Sequence, residues 1–471
     1  MHHKFLIALF ISCLACAGMS SCGGMKKEPH SGEAIIISHY ETEVLRHPQW
    51  SRNATLYTVN VRQHTAAGTF DQLERDLDRL KEMGVDIICL TPIFSVGQKL
   101  RTGKAGDPQL VRDFRGVDPS LGTLDEFKHL LAAAHQLKME VILNWVSDFT
   151  SIDNPWTRCC PSFFIPDSSG TFLSPPGRDT TDAYVLNWKS QELVDSVKAA
   201  MHWWVKDAGV DGFFCLRSKN VPTAAWEEIR LALDSIRPVL MICDDERREL
   251  HLKAFDASQV MWFHQLSSDL AEKRANLAAL DSLMLREDTL FPRSAYRVFC
   301  TSGFELQHEE GTASERYGAL ADVMDVLAFT LPGMPCLYSG QEGGEVRPNG
   351  DAHRLRMYDK DTVQWNNYPK QDFYSRLFKA HQSYPALWNG EFGGSFERIK
   401  TSSDDLIYAF RRKKGESEAL VILNFSDKPQ KIDFIQPIEG EFHSIFNNQQ
   451  LSIFTRGDVK LAPHGYQVFL K

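Results

Sequence analysis

The sequence predicts an α/β protein: a parallel (β/α)8 barrel of the TIM type, with an excursion after strand three and a C-terminal antiparallel β-domain. Three observations carry this prediction. Short apolar runs alternate about eight times with amphipathic helical stretches. The runs are apolar throughout, as strands buried on both faces must be. Past Trp388 the helical periodicity stops, and apolar stretches separated by turns take over. A doubly wound open sheet is the rival arrangement that alternation alone would permit.

Taken in order, Thr55 to Val61 is rich in β-formers. Thr69 to Met83 follows with leucines at 73, 77 and 80, a helical spacing that Gly84 closes. Strands are expected at Asp86 to Leu90, Met139 to Trp145, Val210 to Leu216, Val239 to Cys243, Val260 to Phe263, Tyr296 to Thr301 and Cys336 to Tyr338. Helices are expected at Leu124 to Leu137, Gln191 to Lys206, Ala224 to Ile236, Leu270 to Leu285, Ala313 to Thr330 and Asp372 to Tyr384. Residues 147–186 interrupt the alternation with a Pro-, Ser- and Gly-rich stretch, and a connection of that length points to function. The expected domains are therefore a barrel over 47–388 and a β-domain over 389–471.

Composition narrows the class. With 471 residues, 43% of them hydrophobic and 24% charged, the chain can bury a large core and a smaller module. A formal charge of −9 and the lack of a basic run argue against a nucleic-acid partner. The N-terminus reads as an export segment over 1–22: a polar start at His2-His3-Lys4, then an apolar run from Phe5 to Gly18. It ends in Met19-Ser20-Ser21-Cys22, which resembles a bacterial lipobox with Cys22 as the lipid acceptor, and 23–46 reads as a tether. The expectation is an exported bacterial lipoprotein anchored to the outer membrane. Of ten cysteines, seven lie beyond that segment, with no zinc-type spacing; most sit in apolar runs, and Cys159-Cys160 lie in a loop.

From His47 onward the chain resembles glycoside hydrolase family 13, the α-amylase family. Residues that carry the resemblance are Gly68-Thr69-Phe70, Met83-Gly84-Val85-Asp86, Val117 to Thr123 (VDPSLGT), Leu331 to Pro335 (LPGMP) and Tyr338 to Glu342 (YSGQE). The resemblance implies chemistry at the C-terminal ends of the strands, by two carboxylates about 5 Å apart in a retaining displacement. Four strand ends depart from the family pattern. At strand three, Asn144 replaces an Asp, Phe149 replaces a ring-binding His, and Asp148 stands where an Asn often helps hold calcium, the one weak metal candidate. At strand four, Phe214 replaces an Arg and Leu216 replaces the nucleophilic Asp; Lys219 is kept, while Asn220 replaces a His. At strand five, Asp244 occupies the place of the acid-base Glu. At strand seven, Phe304 replaces a His and Glu305 an Asp, and Gln109 stands at the position of a sugar-stacking Tyr.

An alkyl side chain cannot form a glycosyl ester, so the family's covalent step has no nucleophile at Leu216. Phe149, Phe214, Leu216 and Phe304 are large and apolar, and together they are expected to fill the old polar pocket. The expected role is a catalytically inactive binder of an α-glucan or a protein partner. Two alternatives remain: a glycosidase using Asp244 and Glu305 as an acid/base pair, and a structural scaffold. No cofactor is expected.

Overall fold

A computed structural model describes residues 45–177, 182–344, 355–447 and 449–471. The export segment, Cys22 and all of the tether before residue 45 lie outside them. Among the described residues no helix is long and apolar enough to cross a membrane.

Eight parallel strands close into a barrel: β1 (Leu56–Val59), β2 (Ile87–Leu90), β3 (Glu140–Val146), β4 (Gly212–Leu216), β5 (Leu240–Cys243), β6 (Ala257–Gln259), β7 (Tyr296–Cys300) and β8 (Met334–Tyr338). Each strand pairs with its sequence neighbours, and β8 returns to pair with β1, so the sheet is singly wound and closed. This removes the open-sheet alternative. Alternate residues of each strand point inward: Leu56, Ile87, Ile142, Phe214, Ile242 and Val298 belong to a buried cluster inside the barrel. The intervening residues, such as Tyr57, Ile88, Leu143, Phe213 and Phe299, pack outward against the helices.

Three expectations are corrected. The sixth strand is Ala257–Gln259, and a helix, Met261–Ala271, occupies most of the stretch expected to form it. This strand is short and carries a polar residue on each face: the buried Ser258 hydroxyl meets His251 at 2.7 Å, and inward Gln259 donates to the Cys300 thiol at 3.1 Å. A polar three-residue strand leaves no apolar run to read. The helix expected over Leu270 to Leu285 is the end of that first helix and a second, Ala278–Leu290, separated by a turn with Lys273 at φ 60°. The helix expected from Thr69 is two, Phe70–Glu74 and Leu77–Met83. Asp76 sits at the break, with its carboxylate on His64 at 2.8 Å and on Arg79 at 2.5 Å.

Two βα connections rise above the C-terminal end of the barrel. After β2, strands Phe94–Val96 and Val111–Val117 pair antiparallel. After β3, the stretch singled out as an excursion contains strands Phe149–Ser151 and Ala183–Val185, also antiparallel. At the opposite end Asp256 is fully buried and accepts from His47 Nδ1, Arg230 Nη1 and the Met241 amide at 2.7–2.8 Å. That carboxylate ties the start of the described chain to the entries of β5 and β6. Beyond the barrel, six strands form an antiparallel sheet: β9 (Ser395–Ile399), β10 (Ile407–Lys414), β11 (Ser417–Asn424), β12 (Gln430–Ser444), β13 (Gln450–Leu461) and β14 (Tyr466–Leu470), in the order β9-β10-β11-β14-β12-β13. Arg412 on β10 is buried and donates to the Thr330 carbonyl of a barrel helix at 3.2 Å, joining sheet to barrel.

Gly212 opens β4 where the backbones of β4 and β5 come closest. A Cβ there would lie 2.0 Å from the Leu240 carbonyl oxygen. Gly212→Ala is expected to destabilise the fold by about 1–3 kcal/mol, the usual cost of forced overpacking, read as a lower urea midpoint with an unchanged slope.

Candidate functional site

At the C-terminal mouth β4 ends in Leu216, and the chain turns sharply. Phe214 and Leu216 lie two apart on one strand and share its inward face. Phe214 is buried in the barrel interior, and Leu216 packs half-buried above it. Arg217 then adopts a left-handed conformation, φ 55° and ψ 40°, before a short turn of helix at Ser218–Asn220. A non-glycine residue pays about 1–2 kcal/mol for that geometry.

Asp244, directly after β5, stabilises the turn. One carboxylate oxygen accepts from the Arg217 amide at 2.5 Å and the other from the Ser218 amide at 2.9 Å. Burial pushes the Asp244 carboxyl above its ordinary value; the two amides pull it back, and the Glu305 charge adds to the rise. Neither oxygen is a spare group aimed at a substrate.

Arg217 also closes the mouth from above. Its Nε donates to Gln109 Oε1 at 3.1 Å and its Nη2 to Glu305 Oε1 at 3.1 Å, while Gln109 Nε2 donates to the same Glu305 oxygen at 2.6 Å. Three side chains from the connections after β2, β4 and β7 thus satisfy one another in a ring. The guanidinium carbon also lies 5.1 Å from the centre of the Phe149 ring, within cation–π range. Gln109 is buried; Arg217 and Glu305 are each about 40% exposed along the side chain.

The structure therefore brings Asp244, Glu305, Gln109, Leu216, Phe214 and Phe149 to one mouth. It does not assemble the expected four-residue apolar plug. Phe149 is fully buried, but on the short strand paired with Val185 and in the outer hydrophobic cluster. Phe304 is half-buried and opens the helix Phe304–Glu309. Only Phe214 and Leu216 line the barrel interior. Lys219 is exposed and has no ion pair among the described residues. Asn144 accepts from the Cys89 thiol at 2.8 Å. The seven cysteines beyond the export segment are free thiols, with Cys159 and Cys160 in the connection after β3.

The sequence reading missed Arg217. The available signal was a basic residue one step past Leu216, but its partners come from distant loops.

Asp148 does not fit a calcium site. Calcium takes six to eight oxygens, whereas Asp148 faces the Arg217 guanidinium and belongs to no cluster of three or more metal-ligand side chains among the described residues. The one such cluster, His135, Glu140 and Asp211, flanks the starts of β3 and β4 and is already knit by contacts of Asp211 to His135 at 2.7 Å and Arg237 at 3.1 Å. Asp148 Oδ1 is buried without a hydrogen-bond partner, and burial raises the carboxyl to about 6, against the pull of Arg217.

The fold is a closed (β/α)8 barrel with carboxylates at its strand ends and a trailing antiparallel sheet. The family model "Alpha amylase, catalytic domain" matches residues 51–162. Alpha-amylase MalA of Haloarcula japonica is 25% identical over 83% of this chain, which spans 58% of that relative's length. Alpha-amylase 2 of Dictyoglomus thermophilum is 22% identical over 93% of this chain and 80% of its own. Among solved structures, the noncanonic maltogenic alpha-amylase AmyB of Thermotoga neapolitana superposes with a TM-score of 0.78 at 21% identity, over 89% of this chain and 98% of its own. The chain is thus similar to α-amylases, through the family model over residues 51–162 and through relatives of 22–25% identity along most of its length.

Two outcomes follow for this site. Asp244→Ala leaves two turn amides without their acceptor and is expected to cost about 1–3 kcal/mol of stability; an unchanged unfolding midpoint would contradict the clamp. For Asp148 the folded carboxyl sits near 6 against an ordinary 3.8. Its stability contribution is therefore full below the ordinary value and lost as pH rises through about 6. Asp148→Asn is expected to raise the melting temperature at pH 8, with the gain vanishing near pH 4.

Proposed function

We propose that this α-amylase-family protein binds an α-glucan without cleaving it, and that it does so as an exported lipoprotein held at the bacterial outer membrane through Cys22. The observation that carries the reading is the closed ring of Arg217, Gln109 and Glu305 above Leu216. Leu216 offers no lone pair at the nucleophile position. Asp244, at the acid-base position, has both oxygens engaged by backbone amides. Removing one general acid costs on the order of 10²–10⁴ in rate; here nucleophile, arginine partner and acid are altered together. The α-glucan ligand is supported by the relatives, whose names describe α-amylases and a maltogenic α-amylase. The barrel over 47–388 carries the binding face, with 389–471 as the β-domain.

A second reading rests on the Asp244 carboxyl, which burial shifts in the direction a general acid needs. In it, Asp244 and Glu305 act on water in an inverting hydrolysis, which calls for carboxyls roughly 6.5–9.5 Å apart with water between them. Arg217, which bonds both through its amide and its guanidinium, stands against this arrangement.

The deciding experiment incubates purified protein with maltooligosaccharides and soluble starch, following products by chromatography and binding by calorimetry. Saturable binding with no new reducing ends is expected, and Leu216→Asp alone is expected to restore no turnover. Hydrolysis lost in Asp244→Ala would establish the second reading. Absence of any glucan binding would reject the first.

A further inference from the structure

Beside the mouth, a separate cleft of about 430 Å³ is lined by Arg62, Arg101, Lys104, Arg356 and Lys360, with Asp359 as the one carboxylate in its wall. Arg62 comes from the turn after β1, Arg101 and Lys104 from the connection after β2, and Arg356 and Lys360 from the stretch after β8. Five cations converge on one hollow in a chain whose formal charge is −9.

Their partners do not account for them. Arg62 is buried; it donates to the Gly106 carbonyl at 2.9 Å and lies 3.6 Å from Asp118, and burial and then Arg101 push its guanidinium below the ordinary value against the Asp118 charge. Arg101 gives Nη1 to Gln98 Oε1 at 2.9 Å and Nη2 to the Ala105 carbonyl at 2.6 Å, while its Nε is buried with no hydrogen-bond partner. Among the described residues Lys360 reaches only the Ala67 carbonyl. The Asp359 carboxylate accepts from the Lys104 backbone amide at 2.8 Å. Among the described residues, Arg101, Lys104, Arg356 and Lys360 form no ion pair. Asp118 and Asp107 act on Arg62 and Asp359 stands in the wall, so the five cations outnumber the carboxylates around them; the remaining like-charge repulsion opposes folding, and an arriving anion reduces it.

We propose that this cleft is a binding site for a sugar-sized ligand bearing a phosphate or sulfate ester. The volume falls within the range of small-molecule pockets, about 300–1,000 Å³. Guanidinium forks match tetrahedral oxyanions bidentately, and lysine ammoniums add point charges around them. Ser120 and Gly68 complete the lining, adding a hydroxyl-bearing and a small residue to the wall. Arg101, Lys104 and Gln109 share one connection, so the anion site and the barrel mouth are neighbours on one face. The proposal goes beyond glucan binding at the mouth and does not depend on it.

The test titrates the full chain in low-salt buffer with glucose 6-phosphate, glucose 6-sulfate, inorganic phosphate, inorganic sulfate and, as neutral control, glucose. Saturable binding of at least one sugar ester is expected, weakened by added salt. The two esters separate phosphate from sulfate recognition. Lys104→Gln/Arg356→Gln changes only exposed side chains; it is expected to weaken ester binding at least about tenfold, the loss of one charge-assisted hydrogen bond, and to leave the maltohexaose response as in the unmodified chain. Absence of saturable ester binding, or equal ester binding by the variant, would overturn the proposal. Loss of maltohexaose binding in the unmodified chain, with ester binding intact, rejects the glucan reading alone.

Discussion

The upper end of the barrel depends on one turn, the left-handed Arg217, and on the Asp244 carboxylate that holds the amides on either side of its peptide plane. Because β4 and β5 are adjacent, the clamp is local in space although 26 or 27 residues separate its ends. Once the backbone is fixed, the guanidinium has one direction to go: across the mouth, over the Phe149 ring and onto Gln109 and Glu305. Groups that could meet a sugar are thereby turned toward one another. A polar mouth survives, with its hydrogen-bonding capacity largely spent internally.

The same logic separates the two ends of the barrel. At the bottom, Asp256 holds three donors and joins the start of the described chain to β5 and β6; residues at that end of a barrel serve stability. At the top, the charges of Arg217, Asp244, Asp148 and Glu305 influence one another. To one side the cleft holds more cations than carboxylates, and that excess of positive charge is the feature that points to a ligand.

Much of the fold was legible because the strands are buried on both faces and their sequences are apolar without interruption, as in Val239 to Cys243. The sixth strand was not, since Ser258 and Gln259 are polar groups whose hydrogen-bond partners, His251 and Cys300, show only in the folded chain. Of the residues singled out at the site, Leu216 and Phe214 do face the barrel interior. The family pattern could not place Phe149 on the outer side of the short strand paired with Val185, nor Phe304 at the head of a helix. Nor could it show that Arg217, in the turn after the strand, reaches over the mouth to Gln109 and Glu305. Linear motifs record which residues occupy a position; they do not record which loops fold over it.

The account stands or falls on whether Arg217 and Glu305 act as one closed unit. A double-mutant cycle with Arg217→Gln and Glu305→Gln, read by urea unfolding, measures that directly. The account predicts a coupling energy of about 0.5 kcal/mol or more. Additivity within about 0.3 kcal/mol would contradict it and return the mouth to the status of an open site.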